Sequence, residues 1–448
     1  MSLDWTLGQI APSLGELFGD ASIRIDGVST DSRAVGPGDL FVAIAGENHD
    51  GHDFVAGAVA SGAAAVLTEA SRTEVEPRIE VKDSGEALLG LARLRRDELT
   101  APVIAVTGST GKTTTKDMMA SAIPGAWASP ASYNNEVGVP LTVLQTPRNA
   151  RALVVEMGSR GRGHLEWLMP AVRPDVAVIT NVGVVHLETF GDTATLADAK
   201  WEIVGGLGES GTAVLPVDEP RLRRAHPGAT VTFGVESEAD VVAHGISFDD
   251  KGRARFTIEA EAGRAEVALE LPGIHQPANA AAAAAAALAV GVDLDTIAVG
   301  LGAATGSKWR MEIHDGRFTV VNDAYNANPT SVEAALRTVA ALGGRPIAVL
   351  GQMAELGDVA EVEHIRMGRL AAQLGFAAVL MVGDDPGLAD GAGAIARRVE
   401  SPDDALRIVS ELIRDGDTVL VKASRAVGLE RLAEQLIDVA GVNEGSVA

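Results

Sequence analysis

The chain has 448 residues, 46% of them hydrophobic, no cysteine, and a formal net charge of −24. That length exceeds a single core and predicts two to four domains. The missing cysteines exclude disulfides, thiol catalysis and Cys-zinc sites. The acidic balance argues against nonspecific nucleic-acid binding and against anionic membranes, which need a basic face. Small anionic substrates stay open, because local Lys, Arg and glycine nests can hold them. The amino terminus, Met1 to Trp5, shows no basic region followed by an apolar one, and no run of about 18 apolar residues reads as a membrane span. A cytoplasmic, soluble protein is the expectation.

Residues 1–99 mix short strands and turns. Phe41-Val42-Ala43-Ile44 follows the turn Gly36-Pro37-Gly38-Asp39, and a helix-like segment from Phe54 to Ser61 precedes the strand Ala64-Ala65-Val66-Leu67. Thr100-Ala101-Pro102 reads as a linker. Residues 100–308 open on the apolar run Pro102 to Val106, a buried parallel strand, followed by Thr107-Gly108-Ser109-Thr110-Gly111-Lys112-Thr113-Thr114-Thr115-Lys116. A glycine loop between strand and helix turns backbone N–H groups toward an anion, and the helix start adds partial positive charge. Lys112 then reaches the outer phosphates, and the Thr113 hydroxyl serves as a magnesium ligand. Val106 stands where the first glycine of the usual phosphate-loop pattern belongs.

Two further buried strands, Ala152 to Val155 and Asp175 to Ile179, indicate a parallel sheet covered by helices on both faces. Residues 211–271 alternate in the β manner, as in Ala254-Arg255-Phe256-Thr257-Ile258, and read as an antiparallel addition. An alanine helix starts near Asn279. Residues 309–448 repeat the strand–helix alternation, with strands at 318–321, 346–350, 378–382 and 418–421 and amphipathic segments at 331–342 and 403–413. The expected fold is α/β in three domains. These are an N-terminal α/β unit (1–99), a central phosphate-loop parallel-sheet unit (100–308) and a C-terminal Rossmann-like doubly wound unit (309–448).

Ligands of doubly wound sheets sit beyond the carboxyl ends of the strands. Two central strands end in Glu156-Met157-Gly158 and Thr180-Asn181-Val182-Gly183, with His186 nearby. Thr113, Glu156 and His186 could converge on one magnesium, which favours oxygen ligands; His186 could equally cap a loop. Lys200, by itself, reads as a surface lysine on a helix. Arg310 and the segment Asn322-Asp323-Ala324-Tyr325-Asn326-Ala327-Asn328-Pro329 support two readings. One is a plain strand-to-helix turn. The other is a loop facing a nucleotide, with Arg310 on the phosphates and Asp323 on a ribose hydroxyl.

Taken in order, these motifs resemble the Mur ligase family, the ATP-dependent amide-forming enzymes of peptidoglycan precursor synthesis, over nearly the whole chain. The likeness also rests on Ser29-Thr30-Asp31-Ser32-Arg33, Gly46 to Phe54, Tyr133 to Pro140 and Ala199-Lys200-Trp201-Glu202-Ile203. Gly273-Ile274-His275 with Asn279-Ala280, Arg310-Met311-Glu312, Leu350 to Gly357 and Ser424-Arg425-Ala426 complete it. The resemblance is strongest to the branch that adds D-alanyl-D-alanine to UDP-N-acetylmuramoyl-tripeptide. The branch adding the third amino acid carries an Asp-Asn-Pro-Arg signature, which this sequence lacks. A nucleotide-dependent switch is the reading from another class.

The resemblance implies ATP phosphates on Gly108, Ser109, Thr110, Gly111, Lys112, Thr113 and Thr114, with Asn279, Arg310 and Asp323 also on the nucleotide. It implies magnesium on Thr113 and Glu156, with His186 helping to hold a second metal, and carbamylation of Lys200 into a metal ligand. Lys112, Lys200, His186 and Arg310 are the implied catalytic set. Ser29, Asp31, Ser32 and Arg33, with Asn134 and Asn135, would serve the UDP-linked substrate, and Asn326 and Asn328 the dipeptide. A monomer is expected. Gln352 replaces the usual acidic residue, and Ala423 the usual glycine.

Overall fold

A computed structural model describes residues 3–46, 49–70 and 72–441. Glu47 and Asn48 of the Gly46-to-Phe54 motif lie outside the described residues. Three large sheets carry the molecule, beside a two-stranded antiparallel pair, Trp5–Thr6 with Arg24–Ile25. The first has five strands in the order Glu16–Phe18, Arg78–Val81, Ala65–Glu69, Asp39–Val42, Gly27–Ser29, parallel except for the edge strand Glu16–Phe18. Helix Ser84–Glu98 follows it, started by the Asp83 carboxylate accepting from Glu86 N–H. The helix buries Leu88, Leu91, Ala92 and Arg95 on one face.

The central sheet has nine strands. Seven run parallel in the order Ala126–Ala128, Ala152–Glu156, Val103–Thr107, Val176–Ile179, Thr212–Pro216, Ala229–Val235, Val241–Phe248. Arg253–Ala260 and Gly263–Pro272 then add an antiparallel ribbon. The expectation of an antiparallel addition over 211–271 is therefore corrected: Thr212–Pro216 and Ala229–Val235 extend the parallel sheet. Alternation reports that one face is solvated; it carries no information about strand direction.

Helix Gln276–Ala289 buries Ala280 to Ala287 completely, against the sheet and against helix Lys112–Ala122. Side chains this small let the helix lie close, which fixes where Asn279 stands.

The third sheet orders Glu312–His314, Thr319–Asn322, Thr418–Lys422, Pro346–Gly351, Ala378–Val382, Ala396–Val399, parallel after its antiparallel first pair. Helices Pro329–Ala341 and Pro402–Leu412 occupy the expected amphipathic segments, each with proline in the first turn.

Candidate active site

The carboxyl ends of the central strands and of strand Thr319–Asn322 open on one cleft of about 720 Å³. Its floor is the phosphate loop. Gly108 and Gly111 take positive φ (155° and 78°). A Cβ on Gly108 would overlap the Thr180 hydroxyl, and one on Gly111 the Asn279 carboxamide oxygen, so side chains are excluded at both.

The loop is clamped from the neighbouring strand end. Asn181 accepts from Ser109 N–H through its carbonyl (3.1 Å) and from Thr110 N–H through Oδ1 (3.0 Å), and its Nδ2 donates to Thr110 Oγ1 (2.8 Å). Those two N–H groups are thus engaged by Asn181. The donors left for an anion are those opening helix Lys112–Ala122, the orphan N–H groups of a helix start. The sequence places Asn181 at a strand end, but nothing in it announces the clamp.

Lys112 folds back to donate to the Gly108 carbonyl (2.7 Å). Burial holds its ammonium below the ordinary lysine range; the Glu156 carboxylate opposes that shift and the Arg310 cation adds to it. Glu156 is buried at the end of strand Ala152–Glu156. Its Oε1 accepts from Asn134 Nδ2 (2.7 Å), while Oε2 has no hydrogen-bond partner among the described residues. An orphaned buried carboxylate oxygen lining the same cleft as a threonine hydroxyl suits a hard divalent cation. The residues present therefore fit magnesium on Glu156 and Thr113. Asn135 caps the turn after it, accepting from Gly138 N–H (2.8 Å).

Lys200 overturns the surface reading. It is 2% exposed on helix Thr193–Gly205, borders the cleft, and makes no hydrogen bond or ion pair among the described residues. Burial, and then repulsion from Lys112, pushes its ammonium well below the lysine range.

The facing wall comes from the third sheet and the linker before it. Arg310 Nη2 donates to Thr113 Oγ1 (3.0 Å) and approaches Ser132 Oγ (3.3 Å), while its guanidinium lies 3.9 Å over the Tyr325 ring. Its neighbours Trp309 and Met311 both adopt left-handed φ (60° and 53°). Each such residue costs about 1–2 kcal/mol, so the surroundings must hold them. Asp323 does part of this, accepting from Met311 N–H (3.2 Å) through Oδ1 and from Lys422 Nζ (2.6 Å) through Oδ2. Asn326 lends its carbonyl to Lys422 (2.8 Å). Asn328 is the N-cap of helix Pro329–Ala341, accepting from Ser331 N–H (2.9 Å), so its side chain has a structural duty whatever else it meets. The plain turn and the site-facing loop are thus one object: a helix start that also lines the cleft.

His186, also left-handed, pairs through Nδ1 with Glu355 of the third unit. The cleft therefore gathers Gly108 to Thr114, Asn134, Asn135, Glu156, His186, Lys200, Asn279, Arg310, Asp323, Asn326 and Asn328. It does not gather Ser29, Asp31, Ser32 or Arg33. These form their own turn after strand Gly27–Ser29, where two hydrogen bonds from the Arg33 guanidinium and one from its N–H hold the Asp31 carboxyl at about 2.

Family models match in the same three-part order. The model described as Mur ligase family, catalytic domain, covers residues 24–96; the Mur ligase middle domain covers 106–287; the Mur ligase, glutamate ligase domain, covers 309–425. The chain belongs to the Mur ligase family. The UDP-N-acetylmuramoyl-tripeptide–D-alanyl-D-alanine ligase of Mycobacterium tuberculosis is 37% identical over 97% of this chain and 98% of its own length. A crystal structure of MurF from Acinetobacter baumannii superposes with a TM-score of 0.91 at 31% identity, covering 98% of this chain and 99% of that one. The MurF ligase of Thermotoga maritima in complex with ADP gives 0.84 at 29% identity over 94% and 98%. Among the described residues no helix is long and apolar enough to cross a membrane.

Proposed function

We propose that this Mur ligase uses ATP to join D-alanyl-D-alanine to UDP-N-acetylmuramoyl-tripeptide through an acyl phosphate, in cytoplasmic peptidoglycan precursor synthesis. Residues 1–99 hold the UDP end, 100–308 the nucleotide and 309–448 the dipeptide. The observation that carries this reading is the reach of Arg310, from the linker to the third unit, onto the phosphate-loop hydroxyl of Thr113. A nucleotide switch has no use for an acceptor-side cation set among turn residues such as Asn326; a ligase needs one.

The γ-phosphoryl group passes to the terminal carboxylate of the tripeptide, leaving ADP and an acyl phosphate. The dipeptide amine attacks that carbonyl through a tetrahedral intermediate, an amide forms, and inorganic phosphate departs with a proton released. The difficulty is the crowding of anions. Lys112 and the N–H groups opening helix Lys112–Ala122 hold the β- and γ-phosphates, and Arg310 meets charge as it develops on the transferring group. Glu156 and Thr113 would hold magnesium, with His186 toward a second ion; bound magnesium supplies further neutralisation of the phosphates. Asn279 and Asp323 fix the nucleoside. Ser29, Asp31, Ser32 and Arg33, with Asn134 and Asn135, fix the sugar-nucleotide peptide.

Lys200 enters as a carbamate. A desolvated, neutral amine is the form that adds to carbon dioxide, giving the carbamate and a proton. The product would put negative charge at the cleft that Lys200 borders, removing the buried unpaired cation.

An omission assay tests the whole reading. With ATP, UDP-muramoyl-tripeptide and D-alanyl-D-alanine together, phosphate and the new amide should appear in equal amounts, and each omission should stop both. Oxygen labelled in the tripeptide carboxylate should reach inorganic phosphate. Hydrolysis of ATP indifferent to either precursor would favour the switch instead.

A further inference from the structure

Lys422 has no part in the scheme above, yet it is among the most enclosed charges in the molecule, with 3% of its side chain exposed. It ends strand Thr418–Lys422, whose parallel partner strand ends at Asn322, immediately before Asp323. Three contacts converge on its Nζ: Asp323 Oδ2 at 2.6 Å, the Asn326 carbonyl at 2.8 Å and the Asp323 carbonyl at 3.5 Å. The other oxygen of Asp323 grips the N–H of left-handed Met311. One residue back, the Arg310 guanidinium touches Thr113 of the phosphate loop. A continuous chain of hydrogen bonds and one peptide link thus runs from Lys422 to the nucleotide floor.

From this we infer that Lys422 is a positioning residue for phosphoryl transfer: by fixing Asp323 it holds the linker backbone in the conformation that aims Arg310 at the phosphates. The inference rests on the ligase reading of the cleft. A bulky residue keeps a left-handed backbone only where its neighbours over-determine it. Tyr325 N–H on the Trp309 carbonyl (3.1 Å) and Arg425 stacked on the Trp309 ring (4.5 Å) steady the first strained residue; Asp323 steadies the second. Without Lys422, Asp323 would keep one hydrogen bond, from Met311 N–H, with the His275 imidazole nearby. With one side of the carboxylate released, Asp323 is free to rotate, and its hold on Met311 weakens. Misplacing a transferring-group contact by about 1 Å can cost about 100-fold in rate.

The test is a double-mutant cycle on the full chain with Lys422→Met and Arg310→Ala, read as kcat for coupled phosphate and amide formation, KM for ATP and for D-alanyl-D-alanine, and Tm. Lys422→Met should lower kcat about 100-fold, far more than it raises the dipeptide KM, which Lys422 reaches only through the Asn326 carbonyl. In the Arg310→Ala background it should lower kcat by less than about threefold. Should Arg310→Ala turn over too slowly to measure, the same cycle is read in the affinity for a non-hydrolysable magnesium–ATP analogue. Lys422→Arg keeps the charge but not its shape, and carries the test if the methionine variant fails to fold; its kcat should fall at wild-type Tm. Multiplying effects in the cycle, or a lowered Tm with wild-type kcat, would overturn the inference. Failure of the ligase reading would be seen separately, as absence of amide product from the unmodified protein.

Discussion

The two interfaces of the central unit are built from opposite materials. Toward the N-terminal unit it shares one continuous apolar core, in which Leu88, Leu91 and Ala92 of helix Ser84–Glu98 pack with Val139, Leu141 and Leu165. Hydrogen bonds also cross the boundary, one of them buried. Arg95 donates to Glu98 (2.7 Å) and to the Thr146 carbonyl (2.6 Å), and Trp167 Nε1 donates to Glu86 (2.6 Å). Toward the third unit the contacts are mostly polar and single: Arg310 on Thr113, His186 on Glu355, Ile274 N–H on Thr338 Oγ1 (3.2 Å) and Lys251 near Asp315 (3.5 Å). Domains joined by a small polar contact move as a rule, whereas a shared core moves as one body. The cleft lies on the polar side. A ligase must admit three substrates and then exclude water from an acyl phosphate, so the hinge belongs where the chemistry is.

The largest effect should come from the floor between the two walls. Lys112→Ala should cut coupled turnover by at least about 1,000-fold and leave the core interface untouched, seen as an unchanged Tm. Near-normal phosphate release still dependent on both precursors would remove the loop from the mechanism. On the welded side the expectation inverts. Arg95→Met strips the Thr146 carbonyl of its donor, and should destabilise the chain by about 3 kcal/mol in urea unfolding. Turnover of the folded fraction should stay near that of the parent. A loss below about 1 kcal/mol would show that the apolar core alone makes this interface rigid.

This contrast was only partly legible in the sequence. The strands were, because a run such as Val103 to Val106 is buried on both faces and has no other use. So was the phosphate loop, because two left-handed glycines before Lys112 are local chemistry. What escaped depended on partners far along the chain. Lys200 read as a surface residue because its helix face gives no hint of the Lys112 beside it. Lys422 needed Asp323, 99 residues away, to acquire a meaning. Strand direction over 212–248 was lost because alternation is blind to it. Asn328 was seen as turn chemistry beside Pro329, yet only the cap to Ser331 shows that the same side chain starts a helix.

Lys200 allows the next test, because it sits in the cleft without belonging to either interface. Unfolded, it holds its proton up to about 10.5; folded, it releases it well below that. The unfolded state therefore binds more protons across the window below 10.5, and stability rises with pH there. Lys200→Met removes that linkage along with the buried cation. In buffer freed of carbon dioxide the variant should be about 2 kcal/mol more stable than its parent near neutral pH, an advantage that shrinks as pH climbs toward 10.5. It should also be inactive. Added bicarbonate should stabilise the parent and not the variant. An advantage growing with pH would contradict the burial of an unpaired amine.

The smallest effect probes the hinge itself. Glu355 is held below the ordinary carboxylate range, first by its hydrogen bond from His186, with burial opposing and the charges of His186 and Arg160 assisting. Its side chain is 57% exposed, so solvent screens the pair and its worth is below about 1 kcal/mol. Glu355→Gln should therefore leave unfolding almost unchanged. Its consequence should appear in geometry, as a slightly larger radius of gyration in small-angle scattering without substrates, and as an altered KM for D-alanyl-D-alanine. Because the folded carboxyl is depressed, its contribution is present above the unfolded range and disappears as pH falls through the folded value. Parent and variant should accordingly converge in acid. A scattering difference that persisted there would mean the wall is held by Arg310 and the linker rather than by this pair.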